Sequence, residues 1–505
     1  MYIKVLSILC VLCVFSVSSY KILVVFPAIS KSHIILGNGY VKHLLDAGHE
    51  ITYITAEIMK NPHKNLTQVD VSSNVKFIPG KLTLTSKIMK GGDMNNVLML
   101  LYFTFAISKA ALQHENVMAF INDETQHFDV VIAEWMYSDL HVGFANLYNC
   151  PFILAGSLDP HWSILRLVDE ATNPAYTADM ASSSIPPFTF VGIYVLILFD
   201  NYKYILVFGP AAARRGQTFP PLGDSRYNVS MILGNSNKPL SSPIRLPANY
   251  KEVGGYHIDS HNTPLPENIQ KVMDEAKNGV IYFSLGSNVK SKDMPEEMKR
   301  DLLKMFGELK QVVLWKFEEE LKGLPKNVHI LKWAPQPSIL RHPNCILFIT
   351  HGGLLSITES IYFGVPIIGL PAFGDQFMNI NKAVAKGFAL KANLAVDMAE
   401  PLKETIKEIT TNKKYRETAK RLSSIYHDRI VSPGAELVHW VEHVVRTGGA
   451  LHLRSPALMV PWYQKIYLDL IALILVIVYL LHKSYKCIKC NLCNKQTKKI
   501  KTKTN

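Results

Sequence analysis

Continuous apolar runs alternate with helix-like segments along most of the chain, and they do so in two series. The first series begins with KILVVFP at Lys21, and the second begins with GVIYFSLGS near Gly279. Runs that are apolar throughout, rather than at every second residue, are typical of parallel strands with both faces covered. The repeated order of strand and helix therefore predicts two doubly wound α/β domains.

The predicted strands set the organisation of the chain. In the first series they are KILVVFP, EITYIT, FDVVIAE and CPFILAG, and in the second GVIYFSLGS, VVLWKF, VHILKW, CILFIT and VPIIGLP. The loop AISKSHIILG is expected between the first strand and its helix, which Gly48 closes. The predicted segments are a signal peptide at 1–19, a first α/β domain at 20–245, a linker at 246–278, a second α/β domain at 279–445, a juxtamembrane stretch at 446–464, a transmembrane helix at 465–482 and a basic tail at 483–505.

Both ends of the chain carry targeting features. The N-terminus has a lysine before an apolar core and small residues where a signal peptidase would cut. Near the C-terminus the apolar run 466–481 is preceded by aromatic residues and followed by lysines, which indicates a membrane helix. This layout predicts a luminal body and a cytosolic tail. The final KTKTN fits the KxKxx retrieval pattern of the endoplasmic reticulum.

Composition limits the class of partner. The 505-residue chain has a net charge of +13, and its last 24 residues hold eight lysines and no acidic residue. The rest of the chain is therefore only mildly basic, which argues against a nucleic-acid-binding body. Among the seven cysteines, only Cys150 and Cys345 belong to the body, so no disulfide framework is expected. The tail pattern CxxCxxC favours palmitoylation or reduced thiols over zinc.

Two further features bear on the body. The sequons at Asn65 and Asn228 would be accessible to N-glycosylation in a luminal protein. The apolar run 191–199 is too short to span a bilayer as a helix. It leaves open a membrane-surface segment, part of an acceptor pocket and an irregular local sequence.

The segment 333–376 carries the most specific chemistry. Its strand CILFIT ends in His351-Gly352-Gly353, and a helix follows. A helix N-terminus offers unpaired N–H groups and a positive dipole end, and glycine lets the backbone approach a phosphate closely. His351 and Ser356 add hydrogen-bond donors. Glu359, one turn further on, suits a ribose diol.

This segment, together with SKSHIILGNGYVKHLLDAGHEITYIT, resembles the UDP-glycosyltransferases, and the insect branch in particular. The resemblance implies the GT-B fold of two Rossmann-like domains, a UDP-sugar donor and a small lipophilic hydroxyl acceptor. The first domain would take the acceptor, mainly through 60–121 and 158–226. The donor-binding residues that it implies are Gly286, Ser287, Trp333, Gln336, His351, Gly353, Ser356, Glu359, Asp375 and Gln376. Trp333 would stack on uracil, Gln336 would sit beside the base or ribose, and Asp375 and Gln376 would hold the sugar hydroxyls.

The catalytic base is expected in the first domain. His33 follows the first strand, near the carboxyl edge of the sheet, where ligands bind in this architecture. Neutral histidine suits removal of a proton from an acceptor hydroxyl. A carboxylate should orient it. Glu134 and Asp139 are the candidates, and the resemblance to the insect branch favours Asp139.

The implied reaction is a single displacement with inversion at the anomeric carbon, without a metal or another cofactor. The resemblance favours UDP-glucose over UDP-glucuronate. A membrane lipid or sterol glycosyltransferase and a catalytically inactive UDP-sugar-binding membrane protein remain alternatives. The expected partners are the UDP-sugar, the acceptor and a membrane, with no nucleic acid. A homo-oligomer is left open.

Overall fold

A computed structural model of the chain describes residues 19–77, 97–169, 204–259, 264–465 and 467–501. The predicted signal peptide up to residue 18, the apolar run 191–199 and the last four residues of the tail lie outside these ranges. The chain divides into two compact units, Met1–Arg454 and Ser455–Asn505. Both sheets belong to the first unit.

The first sheet has seven parallel strands in the order β3-β2-β1-β4-β5-β6-β7. Its strands are β1 Lys21–Phe26, β2 Glu50–Thr55, β3 Leu66–Asp70, β4 Val130–Trp135, β5 Phe152–Gly156, β6 Met231–Gly234 and β7 Tyr250–Glu252. Its helices are α1 Lys31–Asp46, α2 Val97–Leu112, α3 Glu115–Asn122, α4 Val142–Tyr148, α5 Trp162–Leu165, α6 at 204–214, α7 Leu222–Ser225 and α8 Tyr256–Asp259. The sequence-based prediction of a parallel α/β domain is confirmed.

The second sheet has six parallel strands in the order β10-β9-β8-β11-β12-β13. Its strands are β8 Val280–Ser284, β9 Val312–Lys316, β10 Val328–Leu331, β11 Cys345–Thr350, β12 Ile367–Gly369 and β13 Ala389–Lys391. The helices from here to the end of the first unit are α9 Glu267–Asp274, α10 Glu296–Gly307, α11 Gln336–Arg341, α12 Leu354–Phe363, α13 Gln376–Ala385, α14 Ala399–Thr411, α15 Lys413–His427 and α16 Pro433–Arg446. Each sheet carries a buried apolar cluster on both faces.

The first helix begins earlier than the sequence indicated. The stretch AISKSHIILG was expected as a loop, but α1 starts at Lys31 and takes in most of it. Its two internal glycines serve close packing rather than a turn: a Cβ at Gly37 would collide with Phe26 and Tyr53. His33 therefore lies on the first turn of a helix, where backbone hydrogen bonds fix its position.

The cores of the two sheets do not follow the predicted boundaries. Strand β7 falls in the predicted linker yet pairs with β6. Helix α16 falls almost wholly in the predicted second domain, but its buried residues Leu437, Val441 and Val444 pack in the cluster of β1 and β4. The chain therefore returns to its first sheet after completing the second.

The second unit contains the helices α17 Trp462–Lys465 and α18 Leu468–Lys501. Within α18, the 23 residues Leu468–Cys490 have a mean hydropathy of 1.8, are long enough to cross a membrane and are not buried. The helix is longer than the predicted 465–482 because it continues into the lysine-rich tail.

Candidate functional site

Loops at the carboxyl ends of the two sheets contact one another. In parallel α/β sheets, ligands bind beyond these ends of the strands. Ser30, in the loop after β1, is bonded to Asn288, in the loop after β8, with 3.2 Å between Oγ and Nδ2. Lys382 of α13 forms an ion pair with Asp159, in the loop after β5. Residues from both sheets are thus brought together at one edge.

On the first-sheet side, His33 and Glu134 form a hydrogen-bonded pair. The Nδ1 atom of His33 contacts Oε1 of Glu134, which is the penultimate residue of β4. Ser157, just after β5, donates its hydroxyl hydrogen to the same carboxylate oxygen. Glu134 is only 2% exposed, so its orientation is fixed by burial and by these contacts. Because Nδ1 faces the carboxylate, Nε2 is the nitrogen left to accept a proton.

The preference for Asp139 as the partner of His33 is therefore corrected. Asp139 lies near the amino end of α4, where one carboxylate oxygen is 3.0 Å from the Arg226 guanidinium. Its other oxygen accepts a 2.8 Å hydrogen bond from the Trp135 indole N–H. Both oxygens of Asp139 are therefore engaged by other residues, and the carboxylate that contacts His33 is that of Glu134. Asp139 joins the loop between β4 and α4 to the segment that holds Arg226.

Opposing effects act on the pKa of the His33 imidazole. Burial by itself would lower the pKa of its imidazole, but the charge and hydrogen bond of Glu134 and the charge of Asp375 outweigh it. The pKa of His33 is therefore raised above its ordinary value. Asp375 lies in the loop after β12 of the second sheet, so its charge acts on His33 from the other predicted half of the site. Burial in turn raises the pKa of Asp375.

On the second-sheet side, the His351 ring lies between two glycines. A Cβ at Gly286 would collide with the ring, and one at Gly353 would come within 2.7 Å of Nε2. Burial and the nearby Lys316 lower the pKa of His351 to about 4, so the ring is a neutral donor at physiological pH. Gly353 is the N-cap of α12, which places this ring at a helix N-terminus, as the sequence predicted.

The predicted ribose-binding residues are adjacent. The Gln336 side-chain amide donates to Ser356 Oγ at 3.1 Å and to Glu359 Oε2 at 2.7 Å. Both Ser356 and Glu359 are buried on one face of α12. The sequence had not indicated the other neighbour of Glu359: Oε1 lies 3.2 Å from Nε2 of His257.

Trp333 has the exposure expected of a base-stacking platform. Its side chain is 59% exposed, which excludes the alternative of a core tryptophan. The ammonium group of Lys316 lies 5.9 Å from its ring centroid and donates to the carbonyl of Gly286 at 2.8 Å. Ser287 follows Gly286 and is half-buried. These residues line the carboxyl ends of β8, β9 and β10.

The loop after β12 is held by its own side chains. Gln376 Oε1 accepts hydrogen bonds from the backbone N–H groups of Ala372 and Phe373 at 2.8 and 3.2 Å. Asp375 accepts from the Asn379 amide at 2.7 Å. One oxygen of each predicted sugar-binding side chain is thus occupied by the protein. The Gln376 amide nitrogen and the second Asp375 oxygen are the groups suited to sugar hydroxyls.

The two sequons lie away from this edge. Asn65 directly precedes β3, and Asn228 lies three residues after the end of α7 and two after Arg226, which binds Asp139. The Asn228 side-chain carbonyl accepts from Arg454. Both side chains are at least partly exposed.

Four site residues escaped the sequence analysis: Ser157, His257, Asn288 and Lys316. Lys316 ends β9 and Ser157 directly follows β5. The rule that ligands lie beyond the carboxyl ends of parallel strands would have found both. His257 gives no such signal, because its partner Glu359 is distant in sequence. Within the described residues, no group of three or more His, Cys, Asp or Glu side chains is arranged to hold a metal ion.

Replacing Gly286 with alanine should weaken UDP binding. The residue has a φ of +80°, where a Cβ costs about 1–2 kcal/mol, and the added methyl group would also displace His351. Gly323→Ala is the matched control, since its φ is +72° and no atom lies within 4 Å of the new methyl group. Calorimetric titration with UDP should show a clear loss of affinity for Gly286→Ala only. Equal affinities in the two variants would contradict the role of the His351 cradle.

Comparison with known proteins agrees with this geometry. Residues 213–504 match the family described as UDP-glucoronosyl and UDP-glucosyl transferase. UDP-glucosyltransferase 2 of Dactylopius coccus is 32% identical over 472 residues, covering 90% of this chain and 89% of its own. Human UDP-glucuronosyltransferase 2B7 is 29% identical over 465 residues, covering 85% of each chain.

Solved structures support the architecture. Medicago truncatula UGT71G1, in complex with UDP-glucose, aligns with a TM-score of 0.55 at 17% identity, over 86% of this chain and 99% of its own. At this identity the likeness establishes the fold, which is GT-B as expected. Together with the family match and the similarity to the Dactylopius coccus relative over 90% of the chain, it leads to one conclusion: this chain belongs to the UDP-glycosyltransferase family and is a transferase of the GT-B fold.

Proposed function

We propose that this enzyme transfers glucose from UDP-glucose to the hydroxyl group of small lipophilic acceptors, with inversion at the anomeric carbon. The observation that carries the proposal is the hydrogen-bonded pair of His33 and Glu134. The charge of Asp375, in the donor domain, helps to raise the pKa of this histidine. A base and a sugar-binding carboxylate at one interdomain edge are what a direct displacement requires.

The proposed steps use residues of this chain and the two substrates. His33 Nε2 accepts the proton of the acceptor hydroxyl as its oxygen bonds to the anomeric carbon. The bond from that carbon to the UDP oxygen breaks, and the electron pair leaves with UDP. Glu134 stabilises the imidazolium that forms. The N-terminus of α12, with His351 and Ser356, stabilises the departing diphosphate. In this scheme neither a metal nor another cofactor takes part.

A neutral hexose is proposed over a uronic acid for two reasons. The Dactylopius coccus relative is named a glucosyltransferase and covers most of the chain. The sugar would also lie beside Asp375, and a second carboxylate there would be repelled unless a cation were available. Lys382 and Lys316, on this side of the molecule, are already paired with Asp159 and Glu318.

We extend the proposal to location. The span Leu468–Cys490 would anchor the enzyme in the membrane of the endoplasmic reticulum. The catalytic domains would be luminal and the lysine-rich tail cytosolic. Use of the sequons at Asn65 and Asn228 would follow from this topology.

The experiment that tests the function uses microsomes containing the full chain, given labelled UDP-glucose or UDP-glucuronate with a panel of phenols and steroids. Transfer from UDP-glucose should exceed transfer from UDP-glucuronate by at least tenfold, because one unpaired charge in the site costs about 1.4 kcal/mol or more. A preference for UDP-glucuronate would reverse the proposed donor. Binding of UDP without transfer to any acceptor would favour a non-catalytic protein.

A further inference from the structure

Glu359, the residue proposed to bind the ribose, is held by a residue from outside its own domain. His257 belongs to α8, which directly follows the first sheet, and its Nε2 lies 3.2 Å from Glu359 Oε1. His257 is 1% exposed and Glu359 is 6% exposed, so water does not screen the contact. A carboxylate can only accept, so the hydrogen of this bond is on Nε2 of the imidazole.

Both oxygens of Glu359 can still accept a hydrogen bond from a diol. An ionised carboxylate has about four lone-pair positions, and His257 and Gln336 each occupy one of them on different oxygens. One position on each oxygen therefore remains for the two ribose hydroxyl groups. The two protein donors also fix the plane of the carboxylate, which would otherwise rotate about its side-chain torsions.

The residue before His257 packs against α1, the helix that carries the proposed base His33. The Tyr256 ring packs edge-on against Tyr40 of α1 at 4.9 Å, and its carbonyl accepts from His43 of α1 at 2.9 Å. His33 lies on the first turn of that same helix. A second buried contact, from Asn237 to Thr358 at 3.2 Å, joins the loop after β6 to α12 beside Glu359.

We propose that His257 is a positioning residue for the nucleotide: it orients Glu359 for the ribose diol and sets that carboxylate in register with the helix that carries His33. This inference rests on the proposed role of Glu359 in donor binding. It predicts that loss of the His257 hydrogen bond weakens recognition of the ribose hydroxyls without removing any group that touches the acceptor.

The test measures competition by UDP and by 2′-deoxy-UDP against the sugar donor, with the detergent-solubilised full chain. The wild type should bind UDP about tenfold more tightly than 2′-deoxy-UDP, because a hydrogen bond to a buried carboxylate is lost. His257→Leu should bring this ratio close to one and raise the donor KM, while kcat at saturating donor falls much less. His257→Gln, whose amide reaches the position of Nε2, should restore the ratio.

The control is a second buried histidine paired with a glutamate. His49 directly precedes β2, at the amino ends of the parallel strands, and its Nε2 lies 3.4 Å from Oε1 of Glu442. His49→Leu should lower Tm but keep the wild-type preference for UDP. If His257→Leu does not fold, His257→Asn replaces it: its shorter amide cannot reach Glu359, so it should lose the preference that His257→Gln retains.

The outcomes separate the inference from the proposed function. A wild type that does not distinguish the two nucleotides would remove the ribose role of Glu359 itself. A wild type that does distinguish them, with an unchanged ratio in both His257→Leu and His257→Asn, would overturn the positioning role alone. Glu359→Gln combined with His257→Leu should lose no more than Glu359→Gln does, because the two residues act through one contact.

Discussion

Replacing His33 with alanine should lower kcat by roughly 10²–10⁴-fold, the usual contribution of a positioned general base. The donor KM should change little, because His33 lies on the acceptor side of the site. Its Nδ1 is bonded to Glu134, so Nε2 is the only ring nitrogen that can take the acceptor proton. The alcohol would then attack without losing its proton, and the reaction would depend on water as a poor substitute.

The measurement is initial rate against donor and acceptor concentration, with UDP binding followed by calorimetry. A suitable control is His43→Ala, on the same helix ten residues on, whose ring contacts the Tyr256 carbonyl. It should keep a much larger share of the wild-type kcat. Undiminished transfer by His33→Ala would refute the role of His33 as base.

Replacing Glu134 with glutamine should lower kcat by roughly 10²–10³-fold and also change the pH profile. The base must be neutral, so activity is lost as pH falls through the His33 pKa. In the wild type Glu134 raises that pKa above the ordinary histidine value. Without the carboxylate, burial dominates and lowers the pKa. The acidic limb of the profile should therefore move to lower pH while the maximum rate falls.

The variant Asp139→Asn distinguishes the role of Asp139 from that of Glu134. It leaves the His33 contacts intact but breaks the buried pair with Arg226, a kind of loss that costs about 3–5 kcal/mol. We expect a lower Tm and a wild-type pH profile. Loss of activity in Asp139→Asn, with near-normal kcat in Glu134→Gln, would return the role of partner to Asp139.

The carboxylate partner marks the limit of what the sequence could predict. Glu134 and Asp139 are five residues apart and both lie near the carboxyl end of one strand, so local pattern cannot distinguish them. The ion pair between Arg226 and Asp139 distinguishes the two carboxylates, and Arg226 is distant from both in the sequence. The donor side was easier, because 333–376 packs two strands and a helix N-terminus into one continuous segment.

The strands were predictable for a related reason. Long apolar runs such as CILFIT stand out, and β11 spans Cys345–Thr350 as expected. The strands β3, β6, β7 and β13 were missed. The strands β3, β7 and β13 are short, partly exposed sheet-edge segments, with polar residues in LTQVD and YKE. The strand β6 is buried, but its four residues MILG form too short an apolar run to stand out. The prediction also erred in the opposite direction at the start of α1, where Gly37 packs closely against β1 and β2 in a stretch expected to be a loop.

Helix α16 imposes an order on biosynthesis. Its residues Leu437, Val441 and Val444 complete a face of the first sheet, whose last strand ends at Glu252. About 180 residues separate the two, which at 5–20 residues per second is a delay of roughly 10–40 s during translation. The first domain must wait through that interval with an apolar face uncovered. The nascent chain thus offers chaperones a hydrophobic surface until the ribosome has nearly reached the membrane anchor.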